Sequence, residues 1–295
     1  GVKDIFADAA LASELDRAGV VLSSANSINW GRLAPQIAYY VSAYCDMVKA
    51  GTIRQGDKIN VCVPTGNFGN ILAAYIAKQM GLPVNKFICA SNRNNVLTDF
   101  FKKDGEYNRN RDFYTTTSPS MDILISSNLE RLLFFASDFD DRMVAELMAK
   151  LNGEGSYKVA SDVFAKIAAD FDAGCCDDKH AAETIHRLWT EEKYLCDTHT
   201  AVAVRVYEDY RARTGDETPT VIASTASPFK FCRAVIEALG GTLEKDDVTQ
   251  LDVLTGLTGV PAPAPLAALA GKTPRFDRVV DKADILSTVA LLKDL

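Results

Sequence analysis

The sequence predicts an α/β protein built on a parallel sheet, and three observations carry that reading. Apolar strand-like runs at residues 59–63, 86–90 and 220–223 each lead through a polar turn into a segment of helical periodicity. The turn at 64–70 is glycine-rich, and Gly81-Leu82-Pro83 stops the helix behind it. With 295 residues, 47% hydrophobic and 24% charged content, the chain forms one large or two modest domains and can bury roughly 75% of its unfolded surface.

Taken in order, residues 1–18 read as a helix with the apolar stripe Val2, Ile5, Phe6, Ala9, Ala12 and Leu15 and no capping residue ahead of it. Residues 19–22 read as a short strand entering a polar turn. A helix is expected over 30–50, with Pro35 near its first turn. Strand 59–63 is followed by a helix through Ile71, Leu72, Tyr75, Ile76 and Met80. A second unit pairs strand 86–90 with the turn 91–95 and a short helix at 97–102. Residues 104–120 form a long polar loop, a length often tied to function. Residues 123–194 read as mainly helical, with joints near 138–142, 153–157 and 173–179. A helix at 200–214, a strand at 220–223, the turn 224–228 and a helix ending at Gly240-Gly241 restore the α/β rhythm. The tail carries Pro261, Pro263 and Pro265, then a strand at 278–280 and a final helix. The expected organisation is an α/β domain from 19–122 and 196–295, interrupted by a helical insertion at 123–195.

Composition excludes several classes. A net charge of −7 and a pI near 5.1 argue against a nucleic-acid partner, which needs a basic face. No apolar run approaches the roughly 20 residues of a membrane span, and the N-terminus has no signal-peptide core. Seven cysteines, Cys45, Cys62, Cys89, Cys175, Cys176, Cys196 and Cys232, are odd in number and never spaced C-x-x-C; buried free thiols in a reducing cytoplasm are expected. His180 and His186 lie six apart, about 120° around a helix, so no metal site is expected from them.

The turn Pro64-Thr65-Gly66-Asn67-Phe68-Gly69-Asn70 carries the most chemistry. A strand, a glycine turn and a helix N-terminus make an anion site, because free N–H groups and the helix dipole both favour negative charge. A plain strand-to-helix turn is the bland alternative, but Thr65, Asn67 and Asn70 add hydrogen-bonding groups that a turn does not need. Three further polar turns, 23–29, 197–201 and 224–231, end strands or open helices, and in a parallel sheet they would converge on one crevice.

Ser24-Ala25-Asn26-Ser27-Ile28-Asn29-Trp30-Gly31-Arg32, the glycine turn, Cys196-Asp197-Thr198-His199-Thr200-Ala201-Val202 and Ser224-Thr225-Ala226-Ser227-Pro228-Phe229-Lys230-Phe231 resemble, in order, motifs of threonine synthases. The similarity runs across most of the chain. It implies a pyridoxal-phosphate enzyme with the tryptophan-synthase-β type of fold, acting on O-phospho-L-homoserine and water to give L-threonine and phosphate. It further implies that Gly66, Asn67, Phe68 and Gly69 wrap the cofactor phosphate, with Asn70 nearby, where many relatives carry Asp. Thr225 would face the pyridine nitrogen; a hydroxyl there does not enforce a protonated ring. Asn26, Ser27, Asn29 and Arg32 would stand on the substrate side, although Arg32 also reads as a surface arginine on a helix. His199 follows Thr198, where the family often has proline, and is expected to close a helix N-terminus beneath the site rather than act as a base. Ser227 stands where relatives often carry histidine.

The family's cofactor lysine sits in a Phe-Lys-Asp sequence well upstream of the Asn26 motif, and no such lysine occurs here. Lys3, in Val2-Lys3-Asp4, lies too close to Asn26 and within an amphipathic helix; Lys230 belongs to the last motif, where the lysine has another role. The chain is therefore expected to correspond to the C-terminal part of such an enzyme, residues 1–18 being the last helix of an upstream domain. Alone it should neither bond covalently to the cofactor nor release phosphate from O-phosphohomoserine. Another enzyme of the same fold, and a non-catalytic homologue that binds phosphorylated ligands, remain as alternatives.

Overall fold

A computed structural model describes residues 5, 6, 8–23, 26–273 and 279–294. The chain divides into two compact units, residues 1–26 with 269–295, and residues 27–268. The expected terminal helix thus shares a unit with the end of the chain, and the segment 123–195 lies in the same unit as the sheet.

In the smaller unit the helix Ala9–Arg17 does have a cap. The Asp8 carboxylate accepts from the N–H groups of Ala10 and Leu11, both at 3.0 Å, satisfying two of the donors that a helix start leaves open. The uncapped helix expected over 1–18 is corrected accordingly; residues 1–4 and 7, Lys3 among them, lie outside the described residues. Residues 19–22 are not a strand. Gly19 takes φ +75° and donates to Asp16 O at 2.9 Å, while Val20 donates to Leu15 O at 2.9 Å. That is a Schellman closure, and the apolar residues after it pack back on Leu15 rather than pairing with a sheet. Of the strand expected at 278–280, Arg278 lies outside the described residues, and Val279 and Val280 form none; Val279 is 94% exposed, with no apolar face to bury.

The larger unit is organised by a four-stranded parallel sheet in the order β5-β2-β1-β6, with β1 Ile59–Pro64, β2 Val84–Ser91, β5 Phe171–Cys175 and β6 Thr220–Ile222. Cys62 lies opposite both Ile88 and Ile222, and Cys89 opposite Ala173. Both faces are buried, as near-continuous apolar runs in a parallel sheet require. Ile59, Val61, Val63, Phe87 and Cys89 enter one core, which also takes in Ile71 and Leu72 of the helix Gly69–Gln79. Cys62, Ile88 and Ala90 enter the other, against Ala203 and Val206 of the helix Thr198–Thr214. Among the described residues, no helix is long and apolar enough to cross a membrane.

Three strands depart from the sequence reading. The mainly helical segment supplies β5, an edge of the main sheet, from residues that looked like a joint because Asp172 and Gly174 interrupt the run. The expected loop 104–120 contains β3, Glu106–Asn108, which pairs antiparallel with β4, Ser156–Lys158. Tyr107 and Tyr157 stack across that ribbon with ring centroids 5.2 Å apart, an aromatic cross-strand pair that short polar flanks concealed.

At the sheet's N-terminal end, buried Asn60 is held by a carboxylate. Its Nδ2 donates to Asp216 at 2.9 Å, and its Oδ1 accepts from Asn85 Nδ2 at 3.0 Å and Lys86 N–H at 3.1 Å. Tyr210 Oη–H also donates to Asp216, at 2.7 Å. Asp216 therefore joins β1, β2 and the helix Thr198–Thr214 far from the opposite, C-terminal end of the strands. Replacing it with alanine leaves Asn60 and Tyr210 short of an acceptor and should cost about 2–3 kcal/mol. A lowered urea midpoint with unchanged slope would register this; an unchanged midpoint would refute it.

Candidate functional site

The site is built at the C-terminal ends of β1 and β6. β1 hands over to the glycine turn at Thr65, whose N–H reaches across to Ala90 O at 2.8 Å and whose Oγ1–H donates to Val63 O at 2.7 Å. Phe68 then adopts the left-handed region, φ 60° and ψ 7°, and the helix Gly69–Gln79 begins. A non-glycine residue pays strain there. Here the Phe68 ring is 1% exposed, with centroids 6.2 Å from Phe101 and 5.9 Å from Phe171, so aromatic packing holds the backbone in place.

This geometry leaves a row of donors. Among the described residues, the N–H groups of Gly66, Asn67, Phe68, Gly69 and Asn70 meet no protein acceptor. No acidic side chain stands in the helix's first turn. The carbonyls on the other side of the turn are tied down. Gly66 O accepts from Ser126 Oγ at 2.8 Å; Asn67 O accepts from Asn128 N–H at 3.1 Å and Asn128 Nδ2 at 2.8 Å. Free amides with a helix dipole behind them fit a phosphate ester.

Both glycines are required by close approach. A Cβ on Gly66 would stand 2.6 Å from Ser120 O, and one on Gly69 2.7 Å from Ser27 Cβ. Ser120 belongs to the turn Pro119–Met121, which is fixed from two directions. Asn92 Nδ2 donates to Thr116 Oγ1, Ser118 Oγ and Asp122 Oδ1 at 2.8–3.0 Å, and Asn94 joins Tyr114 and Asp122. The polar turn after β2 is thus an anchor for the long loop. From the other side, Ser120 N–H donates to His199 Nε2 at 3.2 Å.

That bond settles the state of His199. Nε2 accepts, so the proton is on Nδ1, which faces Asp197 Oδ1 at 2.9 Å. With a 2% exposed residue and both ring nitrogens engaged, His199 positions the 119–121 turn. Asp197 caps the helix Thr198–Thr214, accepting from the N–H of His199 at 2.8 Å, and also binds Thr200 Oγ1. Burial alone would push this carboxyl up, but the bonds from His199 and Thr200 outweigh it and hold it below the usual carboxylate range. Thr200 Oγ1 reaches on to Ser224 Oγ at 3.2 Å, at the end of β6. Thr225 follows and is exposed, and β6 pairs with β1 in the sheet.

The remaining expected residues are placed as follows. Asn70 Oδ1 accepts from Tyr40 Oη, and its Nδ2 donates to Gln36 Oε1 at 2.9 Å. These contacts tie the side chain to the helix Trp30–Lys49. Asn29 caps that helix, accepting from Gly31 N–H at 2.9 Å. Ser27 packs on Gly69 and accepts from Asn128 Nδ2 at 3.2 Å. Arg32 is exposed on the helix and has no anionic partner among the described residues. Asn26 falls in the other unit, and Ser24 and Ala25 lie outside the described residues. Lys230 is exposed, its Nζ 5.9 Å from the Phe231 ring centroid. His180 caps nothing catalytic: it pairs with Asp177 at 2.6 Å on an exposed helix end. Five of the cysteines, Cys62, Cys89, Cys176, Cys196 and Cys232, are buried free thiols, while Cys45 and Cys175 are exposed.

Residues 200–289 match the family model described as threonine synthase, C-terminal. The human protein named threonine synthase-like 1 is 46% identical over 241 residues, covering 81% of this chain and 32% of that protein. Threonine synthase of Corynebacterium glutamicum is 38% identical over 244 residues, covering 81% of this chain and 48% of the enzyme. The crystal structure of pyridoxal-phosphate-bound threonine synthase from Brucella melitensis superposes with a TM-score of 0.78 and 34% identity, over 98% of this chain and 56% of that one. The chain thus spans between a third and a little over half the length of these proteins.

Proposed function

We propose that this chain, which belongs to the threonine synthase family, supplies the phosphate-holding side of a pyridoxal-phosphate site in a protein that converts O-phospho-L-homoserine and water to L-threonine and phosphate. The carrying observation is the row of free amides at residues 66–70, held open by clamped carbonyls at the end of β1, the strand that pairs with β6.

In this reading the amides of Gly66, Asn67, Phe68 and Gly69 hold the cofactor phosphate, joined by the Asn70 N–H. Charge-assisted bonds of this kind contribute about 1.5–3 kcal/mol each. Thr225 presents a neutral hydroxyl to the pyridine nitrogen. When bound, the cofactor supplies the electron sink for proton removal from the amino acid and loss of its phosphate. Ser27 and Asn29 border the substrate, and the Arg32 guanidinium, exposed and without an anionic partner among the described residues, suits its phosphate or carboxylate. In this reading no lysine among the described residues serves as the covalent attachment point, and the chain alone is inactive. Its buried thiols suit a cytoplasmic location. The higher identity to a protein named threonine synthase-like favours, as a second reading, a related substrate handled by the same site.

Pyridoxine 5′-phosphate and pyridoxine differ only in the phosphate and carry no aldehyde to react with lysines. The chain should bind the phosphorylated form about 100-fold more tightly, the worth of two such bonds, as followed by fluorescence quenching. Equal affinities would sink the proposal. Phosphate release from O-phospho-L-homoserine, against a panel of other phosphorylated amino acids, separates the two readings in a protein that also carries the cofactor lysine.

A further inference from the structure

We infer that Ser126 and Asn128 are positioning residues that aim the phosphate-binding amides, an inference that rests on the phosphate reading of the glycine turn. In a trans peptide the carbonyl of one residue and the N–H of the next point in opposite directions. Fixing Gly66 O therefore fixes where Asn67 N–H points, and fixing Asn67 O does the same for Phe68 N–H. Ser126 Oγ holds the first carbonyl at 2.8 Å; Asn128 holds the second through its N–H at 3.1 Å and Nδ2 at 2.8 Å.

The clamp is itself braced. Asn128 is fully buried, and its Oδ1 accepts from Arg131 Nη1 at 2.8 Å, whose Nη2 donates to Ile28 O at 2.7 Å. Tyr107 Oη accepts from Ser126 N–H at 2.9 Å and donates to Leu124 O at 3.0 Å. The β3–β4 ribbon thus sets the height of Ser126, and the helix Leu129–Ala136, through Arg131, sets the rotamer of Asn128. Every polar atom of the Asn128 side chain is committed to the turn or its brace. A residue kept only to fill space needs none of this. Preformed donors lose no orientation on binding, which is where a site gains affinity for a charged group.

The test compares the pyridoxine 5′-phosphate to pyridoxine affinity ratio in the wild-type chain, Ser126→Ala, Asn128→Asp and the double variant. Asn128→Asp keeps the shape and the Arg131 contact but removes the side-chain donor to Asn67 O, leaving the backbone N–H as its remaining partner from this residue. Each single change should lower the ratio about five- to tenfold while leaving pyridoxine affinity within twofold, and the double variant should lower it further. Asp216→Ala, which weakens the fold far from the turn, serves as the control for stability: its ratio should equal the wild type's. Wild-type selectivity that persists in all three clamp variants overturns this inference and leaves the phosphate reading standing. A wild-type chain without phosphate selectivity overturns both. Should Asn128→Asp not fold, Ser126→Ala, which removes a single hydroxyl, decides the matter alone.

Discussion

Replacing Gly66 with alanine is expected to abolish phosphate selectivity and to destabilise the chain by about 1–3 kcal/mol. The new Cβ would stand 2.6 Å from Ser120 O and 3.2 Å from Met121 Cα, both backbone atoms. Neither side can give easily. Gly66 is tied through its carbonyl to Ser126, and Ser120 through its N–H to His199. Relief must come from rotating the Gly66 peptide, which swings the Asn67 N–H away from the anion. Loss of two charge-assisted bonds amounts to about 3 kcal/mol, or roughly a 100-fold fall in the phosphate increment. Gly69→Ala should be milder, because its clash is with the Ser27 side chain at 2.7 Å rather than with backbone. Gly256→Ala meets nothing within 4 Å in the helix Thr249–Thr258 and should stabilise by about 0.5–1 kcal/mol. Thermal melts and the pyridoxine pair read all three; a Gly66→Ala chain with wild-type selectivity would refute the packing argument.

Much of this frame was legible in the residues, for reasons that differ by element. β1, β2 and β6 announce themselves because a strand covered on both faces must be apolar at successive positions, and Pro64, Asn92 and Ser224 punctuate their ends. The glycine turn is legible because close approach of two backbones leaves no other residue type. β5 was hidden, since Asp172 faces Lys102 and Arg213 at the sheet edge and gives five residues the polarity of a joint. Residues 19–22 misled in the other direction, their apolar character belonging to a helix closure. The clamp on the turn could not be found from local pattern, because Ser126 and Asn128 lie some sixty residues away and only tertiary contact gives them meaning. The partners of Asn70 are hidden for the same reason: Tyr40 and Gln36 reach its side chain from another helix. A polar side chain near a site is as suited to binding the protein as to binding a ligand, and local sequence pattern does not separate the two.

Asp197 offers the sharpest separation of structure from chemistry. Its carboxylate, fully buried, caps the helix Thr198–Thr214, orients His199 and binds Thr200. Alanine there orphans all three and should cost about 3–5 kcal/mol. Asparagine should cost only about 1 kcal/mol: its Oδ1 can still accept from His199, and its Nδ2 can donate to Thr200 Oγ1, which keeps its hydroxyl proton for Ser224. The two variants also differ from wild type in pH dependence. Because the folded carboxyl is held below its unfolded value, its contribution is fully present above the usual carboxylate range, about pH 4 and higher, and is lost as pH falls through the lower folded value. The gap in melting temperature between wild type and Asp197→Asn should therefore be constant near neutrality and close as acid is added. A gap independent of pH would show that the carboxylate charge does not hold the cap. The alanine variant should lose phosphate selectivity as well as stability, since His199 then releases Ser120 from beneath Gly66, whereas the asparagine variant should keep it. Such a split would assign Asp197 to the scaffold, through His199 to the turn beneath Gly66 and through Thr200 to Ser224.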